Sequence, residues 1–175
     1  MQPMMGACRT AWGWVGAAAS SVGLLGTTLP KESKEEALAS LLERWPQAQE
    51  GRGFCLAALH NELERYFGGQ AVDLSAVVLD VRGATDFQIH VWEAVRSIPR
   101  GQARSYAWVA RRAGSSRAAR AVGRAMAANP FPVVVPCHRV VGKDGQLTGF
   151  AAGLDMKRRL LEMEGAPVGR LCLDG

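Results

Sequence analysis

The chain is short of several things, and each shortage excludes something. Its 175 residues hold only four cysteines, Cys8, Cys55, Cys137 and Cys172, and no two of them form a CxxC pair. Zinc ribbons and thioredoxin-type dithiols are thereby excluded. A chain of this length builds a core without disulfides, so a reducing compartment is expected. No apolar run is long enough to span a bilayer. The stretch from Ala11 to Leu25 is broken by Gly13, Gly16 and Gly23, and Arg9 is the only positive residue before it. It therefore reads as neither a secretory segment nor an anchor, and a cytoplasmic protein is expected. Internal repeats, low-complexity blocks and a Walker-type phosphate loop are also missing. The most informative absence is local. From Arg96 to Arg124 there is no acidic residue at all, while Arg96, Arg100, Arg104, Arg111, Arg112, Arg117, Arg120 and Arg124 fall in that window. The net charge of +5 is a weak hint of a polyanionic partner, and this clustering is a stronger one.

What is present reads as two subdomains of an α/β (α+β) protein, residues 1–82 and 83–175. Arg9 to Leu29 has the alternation and turn chemistry of β-structure. Ser33 with Glu36 makes a capping box for a helix whose core stripe is Leu38, Leu41, Leu42 and Trp45. A second helix runs from Phe54 to Phe67 with Cys55, Leu59, Leu63, Tyr66 and Phe67 inward, and Gly68-Gly69 ends it. Cys55 and His60 are five residues apart, about 140° around a helix, so they do not make a metal pair. Val77–Val81 reads as a short strand and Arg82–Thr85 as a linker.

The second half is mainly helical. Asp86 is placed as the cap of a helix carrying Phe87, Val91, Trp92 and Val95. Two short helices follow, one with Tyr106, Val109, Ala110 and Ala113 on a face and ending at Gly114. The next starts from Ser115 or Ser116 and continues past Met126 to Asn129-Pro130. Two helices about a glycine turn form a helix-turn-helix pattern, which is also the pattern of a ligand-free helical hairpin. On the second helix Arg117, Arg120 and Arg124 line one stripe, with only Ala118, Ala119, Ala121, Val122 and Gly123 between them. A small, smooth face bordered by arginines suits a narrow groove read by shape and phosphates, with an arginine able to wedge into the base stack. It lacks the Asn and Gln side chains that read base edges in the major groove.

The run Val133-Val134-Val135-Pro136-Cys137-His138-Arg139-Val140-Val141 reads as a buried strand ending in a rigid turn that fixes a thiol beside an imidazole. A reactive cysteine is one interpretation, since a cationic neighbour lowers a thiol pKa. A buried, space-filling cysteine is the other. Gly142–Gly149 is a hairpin-like loop, and a last helix follows with Leu154, Leu160 and Leu161 inward. Glu164 falls near its C-terminus, where the macrodipole disfavours a carboxylate. Pairing with His138 and plain solvation both account for it.

Taken together, the chain resembles the O6-alkylguanine-DNA alkyltransferases, the methylated-DNA–protein-cysteine methyltransferases. The matching elements are Phe87 with Val91-Trp92, Ile98-Pro99-Arg100-Gly101, Ser105-Tyr106, Ala118 to Gly123, Asn129-Pro130, Pro136-Cys137-His138-Arg139-Val140, Gly149-Phe150, and Lys157 through Leu160-Leu161 to Glu164-Gly165. The likeness is dense from Phe87 to Gly165 and faint before it. It implies an RNase H-like layout in the first subdomain and a winged-helix-like second one containing the helix-turn-helix. It also implies direct-reversal repair of DNA: the alkylated guanine is flipped out of the duplex, and its alkyl group passes irreversibly to Cys137. O4-alkylthymine is the second substrate implied.

In that scheme His138 deprotonates the thiol through a water and Glu164 orients the imidazole, with Asn129 bracing the turn and Tyr106 rotating the nucleotide. Arg120 is the arginine finger, and Ala118, Ala119, Arg117, Arg124, Gly123 and Ser105 face DNA. Val140, Phe150, Ala151, Ala152, Pro132 and Met126 form the alkylguanine pocket. No cofactor and no metal are expected, since Cys8, Cys55 and the three histidines do not match the zinc pattern of some relatives. Double-stranded DNA is the expected partner and a monomer the expected state in solution, with cooperative binding along DNA left open. A non-catalytic lesion-binding relative is the alternative, and it lacks the cysteine that is present here.

One position departs from the commonest pattern. Ala151-Ala152 stand before Gly153 where many relatives have a second glycine, and the added methyl narrows the pocket rim. Duplexes carrying O6-benzylguanine are therefore expected to react more slowly than those carrying O6-methylguanine in single-turnover assays. Equal rates would remove the rim from the account.

Overall fold

The structure, a computed structural model, describes residues 2–51 and 54–166, without the side chains of Phe54 and Cys55. The reading of Cys55 as core therefore lies outside the described residues. The chain divides into two compact units. The first takes the residues up to Arg82 together with Pro130–Val134. The second takes Gly83–Asn129 and the residues from Val135 on. The excursion of Pro130–Val134 into the first unit is not visible in a boundary drawn at residue 82.

In the first unit β1 (Met4–Thr10), β2 (Gly13–Ala19) and β3 (Leu24–Thr27) form antiparallel neighbours, and β4 (Gln49–Glu50) pairs in parallel with β1, giving the order β3-β2-β1-β4. Val15 to Ala18 on β2 are buried without alternation, as expected of a strand covered on both faces. One cover is α1 (Lys34–Arg44), whose Leu38 and Leu41 pack with Met5, Ala18 and Ala48. A Cβ on Gly16 would stand 2.9 Å from Leu41, so the glycine lets α1 lie close. The other cover is α2 (Phe54–Phe67), with Leu59, Leu63, Tyr66 and Phe67 buried and His60 against Gly6.

Three expectations change here. Leu42 is 37% exposed; Ala37 takes the inward place because the buried stripe runs Ala37, Leu38, Leu41. The capping box is half-formed, with the Glu36 amide donating to Ser33 Oγ while the Glu36 carboxylate accepts from the Glu32 amide. The strand expected at Val77–Val81 shrinks to a single bridge between Leu79 and Leu24. The backbone on either side of Leu79 bonds Leu24, and the buried Asp80 carboxylate accepts from Ser20 and Arg82.

In the second unit α3 (Asp86–Arg96) is capped by Thr85, not Asp86, and the Thr85–Gln88 capping box is complete on both sides. Val91, Trp92 and Val95 of this helix are buried, and Trp92 Nε1 donates to the Ala125 carbonyl at 3.0 Å. That bond ties α3 to α5 (Ala119–Ala127). Between them runs α4 (Tyr106–Arg112), capped by Ser105 and closed at Gly114 (φ +84°). The Ser115 amide bonds the Ala110 carbonyl and the Gly114 amide bonds that of Arg111, a Schellman closure. The Ala118 amide then bonds the Ser115 carbonyl, so a turn separates both serines from the next helix and neither caps it. α5 starts at Ala119 with no side-chain cap, and Arg117 sits in the turn before it.

A two-stranded parallel sheet pairs β5 (Arg104–Ser105) with β6 (Val140–Val141), and it escaped the sequence reading because each strand is two residues long. α6 (Leu154–Met163) buries Lys157, Leu160 and Leu161, while Leu154, at its first position, is 45% exposed. Removing the Thr85 hydroxyl should unfold the second unit more easily. Thr85→Ala is expected to cost about 1 kcal/mol in urea unfolding, and an unchanged midpoint would show that the cap contributes nothing.

Candidate functional site

The segment leading to Cys137 is not a strand. Val133 and Val134 lie in a turn, and Val133 has φ +75°, a conformation that β-branched residues rarely adopt and that costs on the order of 1–3 kcal/mol. Pro136, at φ −78° and ψ 67°, is the centre of an inverse γ-turn closed by Cys137 N donating to Val135 O at 2.7 Å. The ring fixes φ, so the proline holds the turn that presents the thiol. Cys137, His138 and Arg139 then form one 3-10 turn, and Val140 begins β6.

This turn sends three consecutive side chains to different tasks. The Asn129 amide donates to Val135 O at 3.1 Å and hydrogen-bonds the Cys137 sulfur. His138 is 1% exposed, with Nε2 2.9 Å from Glu164 Oε1. Arg139 grips the same carboxylate twice, Nε to Oε2 and Nη2 to Oε1, both at 2.8 Å, and Nη1 donates to the Ile98 carbonyl at 2.6 Å. Glu164 is the C-cap of α6, and the turn through Gly165 (φ +80°) closes the helix beneath it. Pairing, not solvation, is thus its state. Burial works against its charge, but the hydrogen bonds and charges of His138 and Arg139 outweigh this and hold the carboxyl well below the usual range. A fork-shaped guanidinium on a carboxylate is the geometry that Arg supplies and Lys does not.

The thiol is not pre-ionised, which corrects the expectation of a cation-lowered pKa. Burial pushes Cys137 above the ordinary thiol value, against the smaller opposing pull of Asn129, Lys157 and nearby backbone amides. Burial likewise lowers His138, more than Glu164 raises it, so the imidazole is neutral near pH 7. The same 3-10 turn thus carries a protonated thiol and a neutral, carboxylate-oriented imidazole, the proton donor and the proton acceptor that a nucleophile activated on demand requires.

Two further residues belong to the site. Lys157 is fully buried, with Nζ donating to Val140 O at 2.6 Å and Thr148 O at 2.7 Å, and burial lowers its pKa to about 8. Its ammonium lies near enough to favour a Cys137 thiolate. Tyr106 donates to the same Thr148 carbonyl at 3.2 Å, and burial raises its phenol. Neither the Arg139 fork nor the Lys157 bridge was foreseen. Both residues stood in the matching motifs, and a lysine on the inward stripe of α6, three residues before Leu160, was the available signal.

The other predicted residues are more scattered. Arg120 and Arg124 are exposed on α5, Arg117 is exposed just before it, and none of the three makes a hydrogen bond or ion pair with a described residue. A Cβ on Gly123 would meet nothing within 4 Å, so the face between Arg120 and Arg124 is open to the backbone. Ala118, Ala119 and Met126 are half-buried. Ser105 is 1% exposed and spends its hydroxyl on the Trp108 amide, so it caps α4 and offers no surface group. Val140 is buried, Phe150 half-buried, and Ala151 and Ala152 exposed in the turn before α6. Pro132 is half-buried and belongs to the first unit. Among the described residues no group of three His, Cys, Asp or Glu could hold a metal ion, and no helix is long and apolar enough to cross a membrane.

Known proteins give this geometry a context. Residues 86–166 match the family model for the DNA-binding domain of 6-O-methylguanine DNA methyltransferase. A methylated-DNA–protein-cysteine methyltransferase of Mycobacterium bovis is 49% identical over 104 residues, 59% of this chain and 62% of that relative's length. The matched part is therefore less than two thirds of that protein. The namesake of Methanosarcina mazei is 42% identical over 131 residues, 75% of this chain and 79% of its own. The crystal structure of Mycobacterium tuberculosis O6-methylguanine methyltransferase superposes with a TM-score of 0.74 at 35% identity, covering 95% of this chain and 96% of that one. The same organism's OGT in complex with DNA gives 0.75 at 36% identity, with the same coverage. On this sequence likeness, and on a structural likeness that extends through both units, the chain belongs to the methylated-DNA–protein-cysteine methyltransferase family.

Proposed function

We propose that the protein repairs alkylated duplex DNA by moving the alkyl group from O6 of guanine, and from O4 of thymine, to its own Cys137, once per molecule. The observation that carries this reading is the relay Cys137, His138, Glu164, in which a protonated thiol, a neutral imidazole and a doubly clamped carboxylate follow one another. With His138 Nε2 taken by Glu164, Nδ1 is the nitrogen that receives the thiol proton through a water. The sulfur then attacks the alkyl carbon. The S–C bond forms as the C–O6 bond breaks, and the departing guanine takes up the proton from the imidazolium. The thioether that remains has no acyl carbon for water to attack, so the cysteine is not regenerated.

The reading places DNA on the arginine-bordered face of α5. Arg117 and Arg124 meet phosphates, Arg120 fills the gap left by the flipped base, and the small surface of Ala118, Ala119 and Gly123 allows close approach. Tyr106 exchanges its bond to Thr148 for one to the entering base. Val140, Phe150, Ala151, Ala152 and Met126 line the pocket that receives it. Lys157 supplies positive charge against which the thiolate develops. The strand order β3-β2-β1-β4 supports an RNase H-like layout for the first unit, and α4-α5 with the β5–β6 pair supports a winged-helix-like second. A cytoplasmic monomer is the state proposed. The presence of Cys137 disfavours a purely lesion-binding role.

Incubation with a duplex containing one O6-methylguanine is expected to add a single methyl to Cys137 by intact-protein mass, with none on Cys137→Ala. Unchanged mass in reduced, folded protein would overturn the proposal. Glu164→Gln should slow transfer by roughly 100-fold or more at saturating DNA, since it removes both the charge and the Arg139 fork. In the wild type the single-turnover rate should hold as pH falls through 6.5, the ordinary histidine value, and drop only at lower pH, because the base must be neutral and burial lowers its pKa. Folding stability should decline earlier, as pH falls below 6.5, since the unfolded chain takes up the proton first. A rate that falls with a midpoint at or above pH 6.5 would contradict a buried His138 as the base.

A further inference from the structure

Thr27 ends β3, at the opposite edge of the sheet from β4. It spends both its donors on one short segment: its amide on Pro130 O at 2.9 Å and its hydroxyl on Pro132 O at 2.7 Å. The neighbouring residue makes room. A Cβ on Gly26 would stand 2.6 Å from Pro130 O and 2.3 Å from the Trp45 ring, closer than real contacts allow. Pro130–Val134 thus lies along the sheet edge as a strap of the first unit, although the sequence on either side of it belongs to the second. The strap is held in a strained form, with Val133 at φ +75°. Such a conformer persists only where its surroundings over-determine it, and Thr27 and Gly26 supply that constraint.

The two ends of the strap meet at one oxygen. Asn129, just before it, donates to the carbonyl of Val135, just after it, and Cys137 N closes its turn on that same carbonyl. Whatever fixes the strap therefore fixes the acceptor around which the thiol is presented. We propose that Thr27 is a positioning residue for Cys137, holding through the strap the turn from which the sulfur reacts. This rests on the proposed alkyl transfer, and it assigns a residue of the N-terminal unit to that reaction.

The test compares Thr27→Val, which keeps shape and loses the hydroxyl bond, with Thr27→Ser, which keeps the bond. Single-turnover transfer at saturating O6-methylguanine duplex should fall about tenfold in Thr27→Val. Its dissociation constant for unmodified duplex should stay within twofold, and Thr27→Ser should recover the rate to within twofold. Hydrogen exchange at the Cys137 amide should quicken in Thr27→Val and not in Thr27→Ser. A Thr27→Val protein that transfers at the wild-type rate, or a serine variant as slow as the valine one, overturns the proposal. Should Thr27→Val fail to fold, Thr27→Ala, which removes the same hydroxyl bond without adding a methyl, must show the same rate loss at constant DNA affinity, and a wild-type rate there overturns it equally. The exchange readout needs no DNA, so it separates failure of this proposal from failure of alkyl transfer itself, which would appear as an inactive wild type with a Thr27-dependent Cys137 amide.

Discussion

A single buried carboxylate organises the second unit's chemistry. Glu164 is fully enclosed at its side chain, yet it keeps its charge because His138 and Arg139 approach it from the same 3-10 turn. Removing one partner from such a pair costs about 3–5 kcal/mol, because it strands the other's charge. The arrangement therefore fixes the end of α6 to the turn that carries Cys137 while it serves the proposed proton relay. Arg139 reaches onward to the Ile98 carbonyl, and Arg100 donates to that of Met163. The loop after α3 and the end of α6 are thus tied by charged donors on backbone acceptors. Stability and reactivity here share the same atoms.

The thiol shows how burial changes the chemistry expected of a motif. Read as letters, a cysteine beside a histidine and an arginine suggests a thiolate lowered by positive neighbours. In the structure the arginine's charge is consumed by Glu164, the histidine is kept neutral, and desolvation governs the sulfur. A resting thiol that ionises only with a base and an electrophile in place is guarded against adventitious oxidation, since the thiolate is the reactive form.

Much of this was legible in the sequence where periodicity is strong. Helix α2 lies where its Leu59, Leu63, Tyr66 and Phe67 stripe places it, and Gly69 closes it in the left-handed conformation. The pairing of His138 with Glu164 was visible as one of two readings. What escaped was local competition and long-range contact. Ser115 looked like a helix cap, but a turn from Ser115 to Ala118 intervenes and α5 begins only at Ala119. Val133–Val135 looked like a strand, yet a positive φ within it turns the chain, and no composition rule places a valine there. The inward stripe of α6 marked Lys157 as buried, but nothing in a helical stripe says that its ammonium meets two carbonyls.

Gly123 sets folding and binding at odds. In the free protein nothing lies within 4 Å of a Cβ built on it, and a glycine inside a helix is worth about 1 kcal/mol less than alanine. By its own intramolecular interactions α5 would be better off without it. The helix gives up part of its own stability at Gly123, and under the proposed function the open notch between Arg120 and Arg124 is where a duplex comes closest to the backbone.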